Sequence, residues 1–315
     1  MERAFVTGGS GFIGGRLIEA LHARGVDVVA LARSDKSAAK VRERGATPAA
    51  GDLDDVAALE AGMRGASVVF HAAANTDQFD ALAVHMRITT EGTKNALAAA
   101  RAAGVKRFVH VSTEAVLADG NPIVRADETR AIPERAMGPY CLTKGLAERA
   151  VVAANDAALE TVVVRPRFVW GRGDTTLLPE ILATVKNGSF GWIGGGRYLT
   201  STTHVDNVVE GLLLAAERGK PGEIYFVTDG EPVEFRDFVG KLVATQNVDA
   251  GSREVPRWLA RATVAATSWM KRPPLTKAGF ALMAHEVTID DSKARRELGY
   301  RGAKTRSDGL DEMRS

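Results

Sequence analysis

Cysteine is almost absent from this sequence of 315 residues, which contains Cys141 and no other. A single thiol cannot form an internal disulfide, so a disulfide-stapled scaffold is excluded and a reducing compartment is expected. The chain also lacks any run near the ~18 consecutive apolar residues of a membrane-spanning helix, and its first residues lack the apolar stretch of a signal peptide. We therefore expect a cytoplasmic protein.

An excess of one charge is missing too. The 41 basic and 39 acidic residues give a net charge of +2, which is too balanced to favour nucleic acid as a partner. Hydrophobic residues make up 45% and charged residues 25% of the chain, and these globular proportions exclude collagenous and disordered classes. The length is about twice a usual domain of ~150 residues, so we expect one large domain or two intimate ones.

Short apolar runs alternate with helical patterns in the first half of the chain. The runs are nearly continuously apolar, as strands buried on both faces must be. They cover residues 4–6, 26–31, 67–70, 107–111 and 161–164. This alternation predicts an α/β fold with a Rossmann-type doubly wound parallel sheet, and the looser second half predicts a smaller C-terminal α/β substrate domain.

A glycine-rich turn, Thr-Gly-Gly-Ser-Gly-Phe-Ile-Gly, follows the first strand at residues 7–14. Glycine permits a tight turn and lets backbone N–H groups approach a pyrophosphate, while the following helix offers its positive N-terminal end. Because the turn lies between a strand and a helix, it predicts a dinucleotide site. The expected cofactor contacts are Gly8, Ser10, Gly11, Phe12, Ile13 and Gly14.

The end of the second strand bears on the choice of cofactor. An NAD site usually has an Asp or Glu there to bond the ribose 2′-hydroxyl, and this chain has Ala32-Arg33-Ser34 instead. Arg33 and Ser34 are suited to bind a 2′-phosphate, so NADP is favoured over NAD. The alternative is that these residues form an ordinary solvated basic loop.

Tyr140 and Lys144 lie one helical turn apart, on the same face of a predicted helix. A nearby ammonium stabilises a phenolate and lowers the pKa of a tyrosine towards the neutral range, where it can exchange protons. The pair follows the fifth strand, which ends in Ser112-Thr113, at the sheet edge where open α/β sheets bind ligands. This location favours a catalytic pair.

Together these motifs resemble the extended short-chain dehydrogenase/reductase superfamily. The resemblance also rests on Gly51-Asp52-Leu53, His71-Ala72-Ala73-Ala74, Arg165-Pro166 and His204-Val205-Asp206-Asn207. It implies that Tyr140 is the acid/base, that Lys144 binds the nicotinamide ribose and lowers the tyrosine pKa, and that Thr113 polarises the substrate carbonyl, with Ser112 as the alternative. The remaining implied cofactor contacts are Asp52 and Leu53 beside the adenine, Ala72 and Ala73 beside the dinucleotide, and Pro166.

The resemblance divides the chain into an NADP-binding Rossmann domain at 1–166, returning in part near 200–228, and a mainly substrate-binding cap at 167–315. It also implies a homodimer formed through the helices near 80–103 and 140–155. One departure is visible, because Thr89 stands where the superfamily usually has asparagine at the start of a helix. The source of that asparagine's contribution to a proton relay is therefore left open.

The C-terminal segment from Pro273 to Tyr300 is similar to the 3β-hydroxysteroid dehydrogenase branch, which implies oxidation of a secondary alcohol, or reduction of a ketone, on a hydrophobic, steroid-like substrate. Nucleotide-sugar epimerases and dehydratases share the framework and are the alternative. They commonly carry Arg-Asp-Phe before the His-Val-Asp motif, and this chain has only Thr and Ser at 200–203. A catalytically silent NADP-binding sensor or scaffold is a third reading, which the intact Tyr140–Lys144 pair disfavours.

Residues 255–285 contain five basic residues and no Asp or Glu, with apolar residues at helical spacing between 258 and 270. Two readings are open: a weak contact of 255–272 with a membrane surface, or a cap helix packed over the active site. The aromatic residues Phe168, Trp170, Trp192 and Tyr198 suit either an apolar pocket or the core. His71 and His110 are interpreted as core histidines with satisfied hydrogen bonds, and no metal site is expected because His204 and His285 lack ligand partners at metal spacing.

Overall fold

The computed structural model describes residues 1–314, and its largest element is a parallel sheet of seven strands in the order β12-β7-β5-β4-β1-β2-β3. All of its strand pairs are parallel. Numbered in chain order, these strands are β1 (Arg3–Thr7), β2 (Asp27–Ala32), β3 (Thr47–Ala50), β4 (Val68–His71), β5 (Arg107–Val111), β7 (Glu160–Pro166) and β12 (Ile224–Val227). The predicted Rossmann-type sheet is therefore confirmed.

Helices cover both faces of this sheet, because alternate residues of each strand point to opposite sides. In β1, Ala4 and Val6 join one apolar core with the first, second and eighth helices, whereas Phe5 joins a second core with the third, fifth and sixth. These helices are α1 (Phe12–Ala23), α2 (Asp35–Glu43), α3 (Val56–Met63), α5 (Gly92–Ala102), α6 (Pro139–Ala153) and α8 (Val205–Arg218). The short α4 (Leu82–His85) leads through a π-helical turn at Met86–Glu91 into α5.

The remaining strands and helices come from segments that follow the carboxyl ends of the central strands β5, β7 and β12. A four-stranded sheet has the order β13-β10-β15-β6, from β6 (Ile123–Ala126), β10 (Leu199–Thr200), β13 (Val233–Glu234) and β15 (Val287–Ile289). Two further pairs join β8 (Val169–Trp170) to β11 (Thr203–His204) and β9 (Trp192–Ile193) to β14 (Glu254–Val255). The helices of this part are α7 (Leu177–Lys186), α9 (Phe235–Ala244), α10 (Arg257–Thr267), α11 (Lys277–Met283), α12 (Ser292–Leu298) and α13 (Arg306–Arg314).

The aromatic residues of the second half pack with one another. Phe168, Trp170, Trp192 and Tyr198 are all buried in one cluster with Phe235 and Phe238 of α9. The core reading therefore applies to these four side chains, and the pocket reading is wrong for them. Among the described residues, no helix combines the length and apolar character needed to cross a bilayer.

Candidate active site

The glycine-rich turn is shaped by close backbone approaches. Gly8 has a φ of 72°, and a Cβ there would lie 2.7 Å from the backbone carbon of Ala72 at the end of β4. A Cβ on Gly14 would lie 2.3 Å from the carbonyl oxygen of Gly8. The residue that precedes α1, Gly11, provides no side-chain cap, so the N–H groups of Phe12, Ile13 and Gly14 lack intrahelical acceptors. This arrangement of free donors at a positive helix end fits a pyrophosphate.

Arg44, which no sequence motif indicates, forms hydrogen bonds to the glycine-rich turn. Its Nη1 donates to the carbonyl oxygens of Gly9 at 2.8 Å and Gly11 at 3.0 Å. A Cβ on Gly15 would lie 1.8 Å from the same guanidinium, so a larger residue there would displace the Arg44 side chain from this position. Arg44 therefore engages two carbonyls of the turn. No local sequence signal indicates this contact, because the residues lie about thirty positions apart.

Arg33 and Ser34, the two residues at the carboxyl end of β2 expected to bind a 2′-phosphate, differ in their interactions with the protein. The Ser34 hydroxyl caps α2, accepting from the Ser37 N–H at 3.3 Å. Arg33 is exposed, and among residues 1–314 no hydrogen bond or ion pair to its side chain is recorded. Arg33 is thus a cation without a protein partner beside the nucleotide turn, while Ser34 already has a structural role.

The other expected cofactor contacts line the same sheet edge. Asp52 is exposed and Leu53 is buried; the Leu53 N–H donates to the Asp52 carboxylate at 2.7 Å. Ala72 and Ala73 follow β4 next to the glycine-rich turn, with the Ala73 N–H donating to the Thr7 hydroxyl at 3.3 Å. Pro166 ends β7, where it is buried and paired with Val227 of β12.

Tyr140 begins α6 after Pro139, which occupies the first helical turn. Its side chain contacts small apolar residues of the cap, including Ala278 and Ala281 of α11. Burial, reinforced by the Glu114 carboxylate, raises the pKa of Tyr140 above its usual 10. This differs from the expectation that Lys144 lowers that pKa towards neutrality.

The reason lies in the position of Lys144. The side chain is 4% exposed, and its Nζ donates to the Val111 carbonyl oxygen at 2.6 Å. Burial lowers the pKa of Lys144 to about 8, against the attraction of the Glu148 carboxylate. The lysine charge is therefore directed at the end of β5 and at Glu148.

The two hydroxyls at the end of β5, of Ser112 and Thr113, have different partners. Ser112 donates at 2.6 Å to Glu148, which forms a buried ion pair with Arg165. Thr113 is the hydroxyl beside Tyr140, where it acts to lower the pKa of the phenol against the effects of burial and Glu114.

Thr113 in turn donates its proton to the neighbouring carboxylate. Its Oγ1 lies 2.8 Å from Glu114, which is paired with Arg167 at 2.9 Å, and both charged side chains are buried. The role of Thr113 in polarising the substrate carbonyl stays a prediction, and it requires the hydroxyl to turn its proton from Glu114 to the substrate.

The two core histidines differ. His71 contacts the Thr7 hydroxyl at 2.8 Å and the Thr93 hydroxyl at 3.0 Å, and burial together with the Lys144 charge lowers the pKa of His71 to about 3. His110 stacks on His71 with ring centroids 5.5 Å apart, and neither of its nitrogens has a partner among the described residues. The prediction of a satisfied histidine is thus confirmed for His71 and wrong for His110.

Thr89, which replaces the usual asparagine, lies in the π-helical turn. Its hydroxyl accepts from the Asn75 N–H at 3.0 Å, and its carbonyl oxygen accepts from the Thr93 hydroxyl at 2.6 Å. Both polar groups therefore bind parts of the chain around the site.

A group of possible ligands surrounds His204, contrary to the expectation from spacing. Potential donor atoms of His204, Asp206 and Glu312 lie within 4.8 Å of one another. The carboxylates are already paired with cations of the chain, Asp206 with Arg16 at 2.7 Å and Glu312 with Lys304 at 2.8 Å. The expectation that His204 lacks ligand partners is wrong for the folded chain, because Glu312 reaches it from α13, which is distant in the sequence.

The sequence is similar to those of known proteins over most of its length. Residues 5–257 match the 3-beta hydroxysteroid dehydrogenase/isomerase family. The chain is 48% identical to the 4-hydroxy-2-methyl-3-oxo-4-farnesyl-3,4-dihydroquinoline-1-oxide ketoreductase of Stigmatella aurantiaca, over 99% of this chain and 96% of the relative. It is 31% identical to the decarboxylating sterol-4-alpha-carboxylate 3-dehydrogenase of Dictyostelium discoideum, over 99% of this chain and 100% of the relative.

Solved structures agree with the fold. The crystal structure of gox2253 has a TM-score of 0.80 and 27% identity, covering 100% of this chain and 98% of that one. A dTDP-glucose 4,6-dehydratase of Streptomyces venezuelae, solved with NAD, has a TM-score of 0.78 and 25% identity, covering 99% and 95%. The resemblance to extended short-chain dehydrogenases/reductases, and to their 3β-hydroxysteroid dehydrogenase branch, is confirmed.

Proposed function

The chain belongs to the 3-beta hydroxysteroid dehydrogenase/isomerase family, and from that premise we propose that it reduces a ring ketone on a substrate with a long apolar substituent, with NADPH as the preferred hydride donor. As a member of this family it is an oxidoreductase that interconverts a secondary alcohol and a ketone. The observation that carries the proposed substrate is the 48% identity, across nearly both whole chains, to a ketoreductase of a farnesylated 3-oxo-quinoline oxide.

The surroundings of Tyr140 support a flat, apolar substrate. The cluster that contacts this tyrosine consists of small or flexible apolar side chains, namely Ala115, Ala118, Ala136, Met137, Cys141, Ala278, Ala281 and Leu282. Side chains of this kind give the phenol a mainly apolar environment, which suits an apolar substrate better than a highly polar one.

The nucleotide-sugar alternative fits less well. In those enzymes an arginine before the His-Val-Asp motif serves the sugar diphosphate, and here that segment, residues 200–203, contains only Thr and Ser, all fully buried. Their hydroxyls bond the surrounding protein, as in the contact of Thr202 with Asp229 at 2.7 Å. The proposal therefore gives the chain no diphosphate-binding group at this position.

The roles of the site residues follow from their contacts. When bound, the reduced nicotinamide supplies the hydride. Tyr140 donates its phenolic proton to the ketone oxygen, and the neighbouring Thr113 hydroxyl, which acts to lower the pKa of the phenol, favours release of that proton. Lys144, whose Nζ is bound to the Val111 carbonyl oxygen, lies one helical turn from Tyr140 and is assigned to the nicotinamide ribose rather than to the pKa of the tyrosine.

The preference for NADPH rests on Arg33. The side chain is exposed at the end of β2 and has no recorded protein partner in residues 1–314, and no carboxylate ends that strand to accept from a ribose hydroxyl. A guanidinium offers two parallel donors and a charge to a 2′-phosphate.

The test is a turnover screen of a farnesylated 3-oxo-dihydroquinoline oxide, 3-keto steroids and UDP- or dTDP-sugars, each with NADPH and with NADH. We expect reduction of the apolar ketones, fastest with NADPH, and no conversion of the sugars. Tyr140→Phe serves as the matched inactive control. Conversion of a nucleotide sugar with no turnover of any apolar ketone contradicts the proposal.

A further inference from the structure

We propose that the outward face of α10 and the turn after it form a docking surface for an anionic lipid bilayer, from which the apolar substrate reaches the active site. This tryptophan face consists of Trp258, Ala262, Ala265, Ala266 and Trp269. The inference goes beyond the proposed reaction, and lipid binding is measured without turnover, so each can fail without the other.

The apolar side chains of this segment are divided unequally between protein and solvent. α10 buries only Ala260 and Val264, which pack on Phe280 of α11. On the opposite side, Trp258 is 72% exposed and Trp269 is 82% exposed. Spacings of 4, 7 and 11 residues from Trp258 place Ala262, Ala265 and Trp269 on one helical face. The face therefore presents two indoles with only alanines between them.

The second indole, that of Trp269, is hydrogen-bonded to the end of the helix. Although α10 ends at Thr267, the Trp269 ring N–H donates to the carbonyl oxygen of Ala266 at 2.8 Å. The ring therefore lies against the last turn of the helix, next to the exposed Ala266. Leu259 and Met270 flank the indoles and are 43% and 40% exposed. Contiguous apolar surface of this kind marks a site of contact with another apolar phase.

The charged residues of this segment favour an anionic lipid bilayer as that apolar phase. Residues 255–285 contain no Asp or Glu, and Arg261, Lys271 and Lys277 are exposed cations with no ion pair recorded among residues 1–314. The other two cations are engaged: Arg257 donates to the Ala284 carbonyl at 2.8 Å, and Arg272 lies over the Phe79 ring. Three exposed cations in the segment that carries the exposed indoles match an anionic lipid surface, where indoles favour the interface.

A second copy of the chain fits this face less well. Two tryptophan faces brought together would also bring two sets of these cations together, and like charges across an interface are unfavourable. The homodimer implied by the family resemblance involves the helices near 80–103 and 140–155, which do not include α10. The bilayer is therefore the better occupant.

The face is connected to the catalytic residues through one helix. Its buried side packs on α11, and Ala278 and Ala281 of α11 pack in turn beside Tyr140. A substrate with a long apolar chain can thus leave the bilayer next to the helix that borders the site. Since no described helix spans a membrane, the contact is peripheral and reversible.

The experiment measures partitioning of the full-length protein onto vesicles of phosphatidylcholine with and without phosphatidylglycerol. We expect binding to the anionic vesicles alone, weakened by salt. Tryptophan emission reports the contact directly, because Trp170 and Trp192 are buried and only Trp258 and Trp269 can change surroundings. Their emission shifts to shorter wavelength, and quenching by aqueous acrylamide falls.

Two double variants separate the apolar and charged contributions. Trp258→Ser with Trp269→Ser, and Arg261→Gln with Lys271→Gln, each lower the vesicle partition coefficient about tenfold or more. The matched control is Val124→Ser, which removes another exposed apolar side chain (55%) outside this face and leaves partitioning unchanged. Turnover of a water-soluble ketone serves to verify that each variant is folded.

Two outcomes overturn the proposal. One is equal partitioning of the wild type and the tryptophan variant. The other is a change in the oligomeric state of the lipid-free protein on removal of the two indoles, measured by sedimentation, which assigns the face to a second copy.

Discussion

Replacing Lys144 by methionine is expected to stabilise the folded protein near neutral pH, although it removes a residue of the active site. Burial lowers the pKa of this amine from 10.5 to about 8. The unfolded chain keeps the proton up to about pH 10.5, whereas the folded chain releases it above about pH 8. The unfolded state thus binds more protons in this interval, and the free energy of unfolding rises with pH there. At about 1.4 kcal/mol per pKa unit, the effect amounts to about 3 kcal/mol.

The methionine variant avoids this cost but loses one hydrogen bond. Lys144 Nζ donates to the Val111 carbonyl oxygen at 2.6 Å, and leaving that buried oxygen unpaired costs about 1–2 kcal/mol. The net gain is therefore about 1–2 kcal/mol at pH 7. Above pH 10 the wild-type amine is neutral, the gain disappears, and the variant becomes the less stable protein.

The assay is urea unfolding of wild type and Lys144→Met, without cofactor, at pH 7, 8.5 and 10. Subtracting the two free energies at each pH cancels the other titrating groups, which both proteins share. Lys106→Met, which removes an exposed amine, is the matched control and shows no such trend. A difference between wild type and Lys144→Met that stays constant across the pH range refutes the reasoning.

Three further substitutions test the site. Tyr140→Phe lowers kcat by about 10²–10⁴-fold with little change in NADPH affinity, and near-normal turnover removes the tyrosine from the mechanism. Arg33→Ala weakens NADPH binding by about 1.5–3 kcal/mol, less at high salt, and leaves NADH binding unchanged, with the exposed Arg42→Ala as control; equal losses for both cofactors contradict a 2′-phosphate contact. Gly14→Ala places a Cβ 2.3 Å from the Gly8 carbonyl oxygen, so titrations give weaker binding of both cofactors, and unchanged affinity contradicts the proposed turn.

The central sheet could be predicted from sequence because its strands are buried on both faces and therefore read as continuous apolar runs. The strand β6 could not. Ile123–Ala126 pairs with Val287–Ile289, more than 160 positions later. Two of its four residues are exposed, so neither an apolar run nor a local partner marks it.

In residues 255–285, the helical spacing of the apolar residues agrees with a helix, but that helix ends before the spacing does. Apolar residues recur at helical spacing as far as Met270, and the helix ends at Thr267. The hydrogen bond from Trp269 to the carbonyl of Ala266 keeps the indole on the same face after the helix has stopped. Periodicity therefore identified the face of the helix, whereas the chain direction after Thr267 depends on this contact.

Catalytic motifs could be located because they follow strand ends, but the charged side chains that hold them could not. Glu148 lies 36 positions from Ser112, and Arg167 lies 53 positions from Glu114. Such pairs form only when the sheet brings β5, β7 and α6 together, and single residues of this type in a sequence read as ordinary surface charges.

The two hydroxyls at the end of β5 have parallel hydrogen-bond partners, and this pattern binds both of their protons to the protein. Ser112 donates to Glu148 and Thr113 donates to Glu114, and each carboxylate is paired with an arginine, Arg165 or Arg167, from the end of β7. A buried carboxylate needs such a partner to remain charged, and a charged carboxylate can only accept hydrogen bonds. Both hydroxyl protons are thus held by the protein. Tyr140, whose pKa burial and Glu114 raise, therefore stays protonated near neutral pH, as the proposed donation to a ketone oxygen requires.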